Sequence, residues 1–289
     1  MVKEKFSFKK GYRARSIFRV CNGLFMVILL VLMLVPILKV VSDSFDRSTT
    51  YGLTLWPTNP SIAAYKTILT NQPLYMPFLI SVLTTVCGTL IAMLITTLGA
   101  YVLIQKELVG RAFFSKFIFI TMIFNGGLIP TFLTLKYLHM INTLWAVLLP
   151  PAVNVFDMIL MKNFFEQIPH SLQESAEIDG ASPPVVFFKI ILPLSAAALA
   201  AIGLFAAVMY WNNFFNYVMY ISDTRLYNFQ IKLRELILSD QSINDPAIMG
   251  YGNMVKNAAI IVAMVPFMII YPFCQKYFIM GVNIGSVKE

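Results

Sequence analysis

Charge is what this sequence has least of. Only 12% of its 289 residues are Asp, Glu, Lys or Arg, about half the share usual in soluble domains. With 58% hydrophobic residues and a mean hydropathy of +0.74, that deficit excludes an ordinary soluble domain and points to a chain crossing a membrane several times. The alternating pattern of a membrane β-barrel is also missing, so the backbone must satisfy itself in helices. Cysteine is scarce. Cys21, Cys87 and Cys274 lie far apart in or beside apolar runs, which excludes a disulfide framework or cysteine metal spacing and leaves small buried hydrophobes. No GxxxxGK[ST] phosphate loop occurs, so the chain is expected not to hydrolyse ATP itself.

The charge that is present is unevenly spread. Residues 1–19 hold Lys3, Lys5, Lys9, Lys10, Arg13, Arg15 and Arg19 against Glu4, a net of +6 out of +8. This basic segment directly precedes an apolar run. It reads as a cytoplasmic anchor under the positive-inside rule, not as a nucleic-acid footprint. The run is too long for the core of a cleaved signal and lacks a small-residue cleavage site.

Apolar runs predict an all-α membrane protein with six transmembrane helices, at about 20–41, 77–104, 113–135, 144–165, 192–221 and 255–277. Pro36 interrupts the first and Pro150-Pro151 the fourth. Both termini are then cytoplasmic, and the transmembrane domain covers 20–289. Segments 43–74 and 222–254 face outward. Lys106 and Arg111 lie in a short inner loop. "RLYNFQIKLRELIL" reads as an amphipathic interfacial helix, and no internal repeat is visible.

The inward segment 166–191 is polar, unlike its flanks. Ser171 and Glu174 have the spacing of a capping box. The helix is expected to run to about Asp179 and to stop at Gly180 in a left-handed turn, with Pro183-Pro184 blocking continuation. About nine residues make a marginal helix alone, so packing must hold it. Ser175, Ala176 and Ala181 let another surface come close. Such a helix suits the passing of a push from a soluble protein to the spans on either side.

"ESAEIDGASPPVVFFKIILP" resembles the EAA motif of ABC importer permeases. Gly180 and the run Ile190-Ile191-Leu192-Pro193 keep the family spacing, and Ser175 replaces the usual alanine. "LWPTNPSIAAYKTIL", "FNGGLIPTFLTLKYLHMINTLWAVLLP", "LFAAVMYWNNFFNYVMYI" and "YPFCQKYFIMGVNIGSVKE" are similar to the carbohydrate-uptake branch, among the second permease subunits of oligosaccharide and complex-glycan importers. The resemblance implies a type I importer. Its parts would be a second, homologous permease, two ATPase subunits carrying ATP and Mg, an extracytoplasmic binding protein and a carbohydrate substrate, in a bacterial cytoplasmic membrane. This chain would be a transport subunit, not an enzyme, with no cofactor of its own. Glu174, Ser175, Ala176, Asp179, Gly180 and Ala181 would form the coupling helix that meets the ATPase. Against that, Glu174 could serve only as a cap and Asp179 only as a helix end.

Polar residues inside spans are the default pathway candidates. Asp157 is the one acid placed within a span; proton coupling is one reading, and an interhelical hydrogen bond or snorkelling is the expected one. Asn125, beside Gly126-Gly127, marks a close-packed or kinked third span, with packing the expected role of the glycines. In "YWNNFF", Trp211 can stack on sugar rings, and Asn212 and Asn213 can bond hydroxyls. An aromatic belt with amide glue between helices is the competing reading. Rival functions are import of a non-sugar solute, an ion-coupled carrier using Asp157, and a sensor subunit.

Overall fold

The structure, a computed structural model, describes residues 3–48, 52, 54–238 and 251–286. Residues 49–51, 53 and 239–250, parts of the two segments read as outward-facing, lie outside the described residues, as do 1–2 and 287–289. The chain is helical almost throughout. Extended pairing among the described residues is one antiparallel bridge, Asp46 to Pro60.

The first helices are α1 (Lys3–Phe45), α2 (Ala63–Thr70) and α3 (Gln72–Ile104). Next come α4 (Arg111–Ile123), α5 (Leu128–Tyr137), the short α6 (Trp145–Leu148) with a 3₁₀ turn at Pro150–Ala152, and α7 (Val155–Glu166). They are followed by α8 (His170–Ile178), α9 (Pro183–Val186), a π turn over Phe187–Ile191 and α10 (Leu192–Leu194). The last are α11 (Ala196–Trp211), α12 (Phe215–Tyr220), α13 (Phe229–Leu238) and α14 (Gly252–Ser286).

Three unbroken helices are long and apolar enough to cross a membrane: Arg15–Phe45, Gln72–Ile104 and Gly252–Gln275. Three bent pairs raise the number to as many as six if each pair is one span. Prolines do not break the long helices. Pro36 sits inside α1, Pro77 inside α3, and Pro266 and Pro272 inside α14; the interruption expected at Pro36 is absent.

Two of the three bends have a local cause. The pair α4 and α5 turns by 114°. There the Asn125 side chain accepts from the Gly127 N–H at 2.9 Å, and Gly127 takes φ +90°. Gly127 does not serve the packing role expected of it within this chain: a Cβ there would meet nothing within 4 Å, whereas one on Gly126 would lie 3.9 Å from Pro130. Backbone freedom, not close approach, is the use made of Gly127. The α6–α7 pair bends by 45° after Pro150-Pro151. Pro183–Leu194 meets α11 at 83°. Within the span expected from residue 192 to 221 the straight helix is therefore Ala196–Trp211, and Leu192-Pro193 lies before the bend. A composition reading cannot separate the two because both are apolar.

Residues 1–68 with 240–262 form one compact unit, and 69–239 with 263–289 another. In the first, Asp46 fastens the loop after α1. Its carboxylate accepts from the Ser48 and Thr58 hydroxyls and amides and from the Asn59 amide. Burial pushes this carboxyl up, but the Ser48 hydroxyl and the Thr58 and Ser48 amides outweigh it and hold the group far below the usual carboxylate range. Backbone bonds from Arg47 to Asn59 (3.0 Å) and from Ser61 to Phe45 (2.7 Å) complete the fold-back. Tyr65 of α2 reaches Ser44 at 2.7 Å.

In the second unit α3 packs against α7 and α11. Gly88 of α3 lies under the Tyr210 ring, where an added Cβ would come within 2.5 Å. The Tyr210 hydroxyl is pinned to the Leu148 carbonyl at 2.7 Å. Tyr217 bonds Thr84 at 3.0 Å. The turn after α12 is locked by Asn142, whose side chain accepts from the amides of Ser222 and Asp223. The predicted amphipathic helix is present as α13. It buries Phe229, Ile231 and Leu236, and buried Asn228 before it donates to the Asn213 carbonyl at 2.8 Å.

Candidate functional site

The candidate site is α8 and the turn that ends it. A proline before the helix and a glycine after it keep α8 to nine residues. Gly180 has φ +82°. Its N–H donates to the Glu177 carbonyl at 3.0 Å, and the Ala181 N–H to the Ala176 carbonyl at 2.9 Å. These are the two bonds of a Schellman closure, which requires the left-handed residue that glycine supplies at least cost. Ser182 then starts α9, with Pro183 in its first turn, where a missing N–H costs nothing.

The start of α8 differs from expectation. The helix begins at His170 with Pro169 as its N-cap, and no side chain caps it. Ser171 falls inside the first turn, so the capping box with Glu174 does not form. Glu174 instead pairs with His170 Nδ1 at 3.0 Å, one turn back and exposed. Such surface pairs contribute little. The Pro169 carbonyl accepts from the Leu172 N–H at 3.1 Å, so the chain enters the helix two residues earlier than a Ser171 cap would allow.

The helix has two faces. Ala176 and Ala181 turn to a core built from Tyr101, Met158, Met161, Phe165, Phe187 and Ile191, and Gln173 is buried. Glu174, Ser175, Asp179 and Gly180 are exposed. Ile178 is 86% exposed. It was absent from the sequence-derived set, yet a lone large aliphatic among polar residues in "ESAEID" was a readable signal. Of the six expected coupling residues, four are open to a partner and two anchor the helix. The core they join includes the π turn at Phe187–Ile191 and α11 residues Ala198 and Ile202, so α8 is in packing continuity with a membrane helix.

The pathway candidates are not gathered at one place. Asn125 is spent on the α4–α5 turn. Asp157 lies in the first turn of α7, 5% exposed; its N–H donates to the Asn154 side chain, and no described residue bonds its carboxylate. Asn212 is exposed and its amide donates to the Val208 carbonyl at 3.0 Å. Asn213 reaches the Val147 carbonyl only at 3.5 Å and accepts from the Asn216 N–H. Trp211, expected to be able to stack on sugar rings, is packed inside this chain. It is 3% exposed, with Phe78 and Phe267 edge-on at 5.7 and 6.0 Å. Among the described residues no group of His, Cys, Asp and Glu could hold a metal.

The chain matches no family model. It is 39% identical over 273 residues to the polygalacturonan/rhamnogalacturonan transport system permease protein YtcP of Bacillus subtilis (strain 168), a match covering 91% of this chain and 96% of that protein. It is 36% identical to the protein LplC of the same organism over 96% of each. A solved chain from a bacterial ABC transporter involved in the import of the acidic polysaccharide alginate superposes with a TM-score of 0.86 at 30% identity, covering 92% of this chain and 98% of that one. With relatives of this identity spanning nearly the full length of both proteins, the chain belongs to the sugar ABC transporter permeases and is an integral membrane transport component.

Proposed function

We propose that this permease forms half of the translocation pore of an ATP-driven, binding-protein-dependent importer of oligosaccharides. A second, homologous permease completes the pore. Two separate ATPase subunits hold ATP and Mg and supply the work, and an extracytoplasmic protein delivers the sugar. The bent pairs each count as one span, giving six crossings and two cytoplasmic termini. One relative is named for polygalacturonan/rhamnogalacturonan transport and the similar solved structure for import of the acidic polysaccharide alginate, which supports complex-glycan fragments, and acidic ones first, as the substrate class.

The observation that carries this reading is α8: a short helix closed by a Schellman turn, with one face in the core and Ile178, Glu174 and Asp179 presented outward. A helix this short is not stable on its own, so a load applied to its outer face passes into the core it rests on. Closure of the ATPase dimer moves α8, and the segment Pro183–Leu194 passes that motion across the 83° bend to α11. The switch draws its free energy from contacts that differ between the two states, at the ATPase groove and at the binding-protein face.

The test removes the closure. Gly180→Val, or deletion of 174–181, is expected to abolish binding-protein-stimulated ATPase activity and uptake while the membrane helices still insert, read by accessibility labelling. Retention of both activities would refute the assignment.

A further inference from the structure

In the first compact unit, the C-terminal end of α1 and the first turns of α14 enclose a cavity of about 270 Å³. Lys39, Asp43 and Arg47 line it from one side, and Tyr251, Asn253 and Asn257 from the other. The charges there are not equivalent. Asp46, which also borders it, has its carboxylate occupied by the five donors of the loop. Lys39 gives one N–H to Asp43 at 2.7 Å and one to Thr54 at 3.3 Å, leaving a third. Arg47 is exposed, its Cζ 5.9 Å from the centre of the Tyr251 ring, and it forms no ion pair with any described residue.

The lining thus sets a guanidinium fork, an ammonium and two amides beside an aromatic ring and Met254, with Asp43 paired to Lys39 and Asp46 held by its loop. A fork pairs a carboxylate through two parallel bonds. Amides donate and accept to ring hydroxyls, and Asp43 accepts from them. The volume lies below the roughly 300–1,000 Å³ of drug-sized pockets, which suits one sugar ring and not a chain. A uronate carboxylate fits the Arg47 fork, which pairs with no described carboxylate, in a way a neutral ring does not.

We propose that this cavity is a subsite for one uronate ring at the end of an acidic oligosaccharide, with Arg47 reading the carboxylate. The proposal rests on the importer reading and on this end of α1 facing the side from which substrate arrives. It adds which part of the substrate this chain holds, and by what charge.

The experiment uses the assembled transporter in nanodiscs, without binding protein, and measures affinity for trigalacturonate and for its methyl ester by saturation-transfer NMR. The unmodified assembly is expected to prefer the acid. Arg47→Gln keeps the backbone bond to Asn59 and is expected to weaken trigalacturonate about tenfold and erase the preference, with the ester unchanged. Arg47→Lys is expected to restore part of it. A purely structural role for Arg47 would move both ligands together. Equal binding of acid and ester by the unmodified assembly, or an undiminished preference in Arg47→Gln, overturns the proposal. Uptake of labelled oligosaccharide by the complete system is measured in parallel. Uptake with an unchanged preference sinks this subsite alone, whereas no oligosaccharide uptake at all sinks the importer reading along with it.

Discussion

At Gly180 nothing lies within 4 Å of where a Cβ would stand, so substitution there is penalised through the backbone alone. Left-handed geometry costs an L-residue roughly 1–2 kcal/mol. Gly180→Ala is expected to leave the assembly folded but to loosen the end of α8, lowering stimulated ATPase activity less than valine does. Gly88 is the opposite case. Its φ is helical, but an added methyl would strike the Tyr210 ring at 2.5 Å, and that ring is held by its bond to Leu148. Gly88→Ala should destabilise by about 1–3 kcal/mol, as overpacking does, seen as a lower thermal midpoint in detergent. Ile178→Ser should leave that midpoint unchanged, because the side chain touches little of its own chain, yet reduce coupling. A reduced midpoint with intact coupling would count against Ile178 as a contact to another subunit. Aromatics beside amides look the same in a sugar site, an interfacial belt and a packed core, and the sequence does not show that Phe78 and Phe267, distant from Trp211 in the chain, lie against its ring.

Among elements, the loop after α1 stands on one carboxylate. The folded-state pKa of Asp46 lies below the unfolded value near 3.9. Its stabilisation is thus complete above about pH 4 and fades as the pH falls through the depressed value. Hydrogen exchange at the Thr58 and Asn59 amides should stay slow at neutral pH and lose protection only in stronger acid. Asp46→Asn should lose that protection at neutral pH as well. Length and apolarity made the long helices legible in the sequence, and Gly180 was legible because few residues can end a helix that way. The start of α8 was not, since proline and serine offer competing first turns and the choice lies in backbone geometry. Nor were the π turn at Phe187–Ile191 and the bend at Ser195, where a mostly apolar stretch shows no turn chemistry and Phe187 and Ile191 pack with Tyr101, Met161 and Phe165, distant in sequence. The staple at Asp46 escaped notice because its donors are spread over residues 48–59.

For the molecule as a whole, the absence of a phosphate loop from the sequence has a direct test: the purified chain should show no ATPase activity until the partner subunits are added. Asp157 bears on the rival carrier mechanism. Its position in the first turn of α7 favours the positive end of that helix, a structural use. Asp157→Asn is expected to keep ATP-driven uptake, and a proton ionophore should leave uptake by either form unchanged in liposomes supplied with ATP. The 114° break between α4 and α5 carries one more consequence. Residues 124–127 are exposed along a stretch where the helical ladder stops, and hydrocarbon cannot host peptide groups that have lost their partners. That seam must therefore be wetted or roofed by a neighbouring subunit, so a water-soluble thiol reagent or a crosslinker placed there reports on the lumen or the subunit boundary, never on the acyl chains.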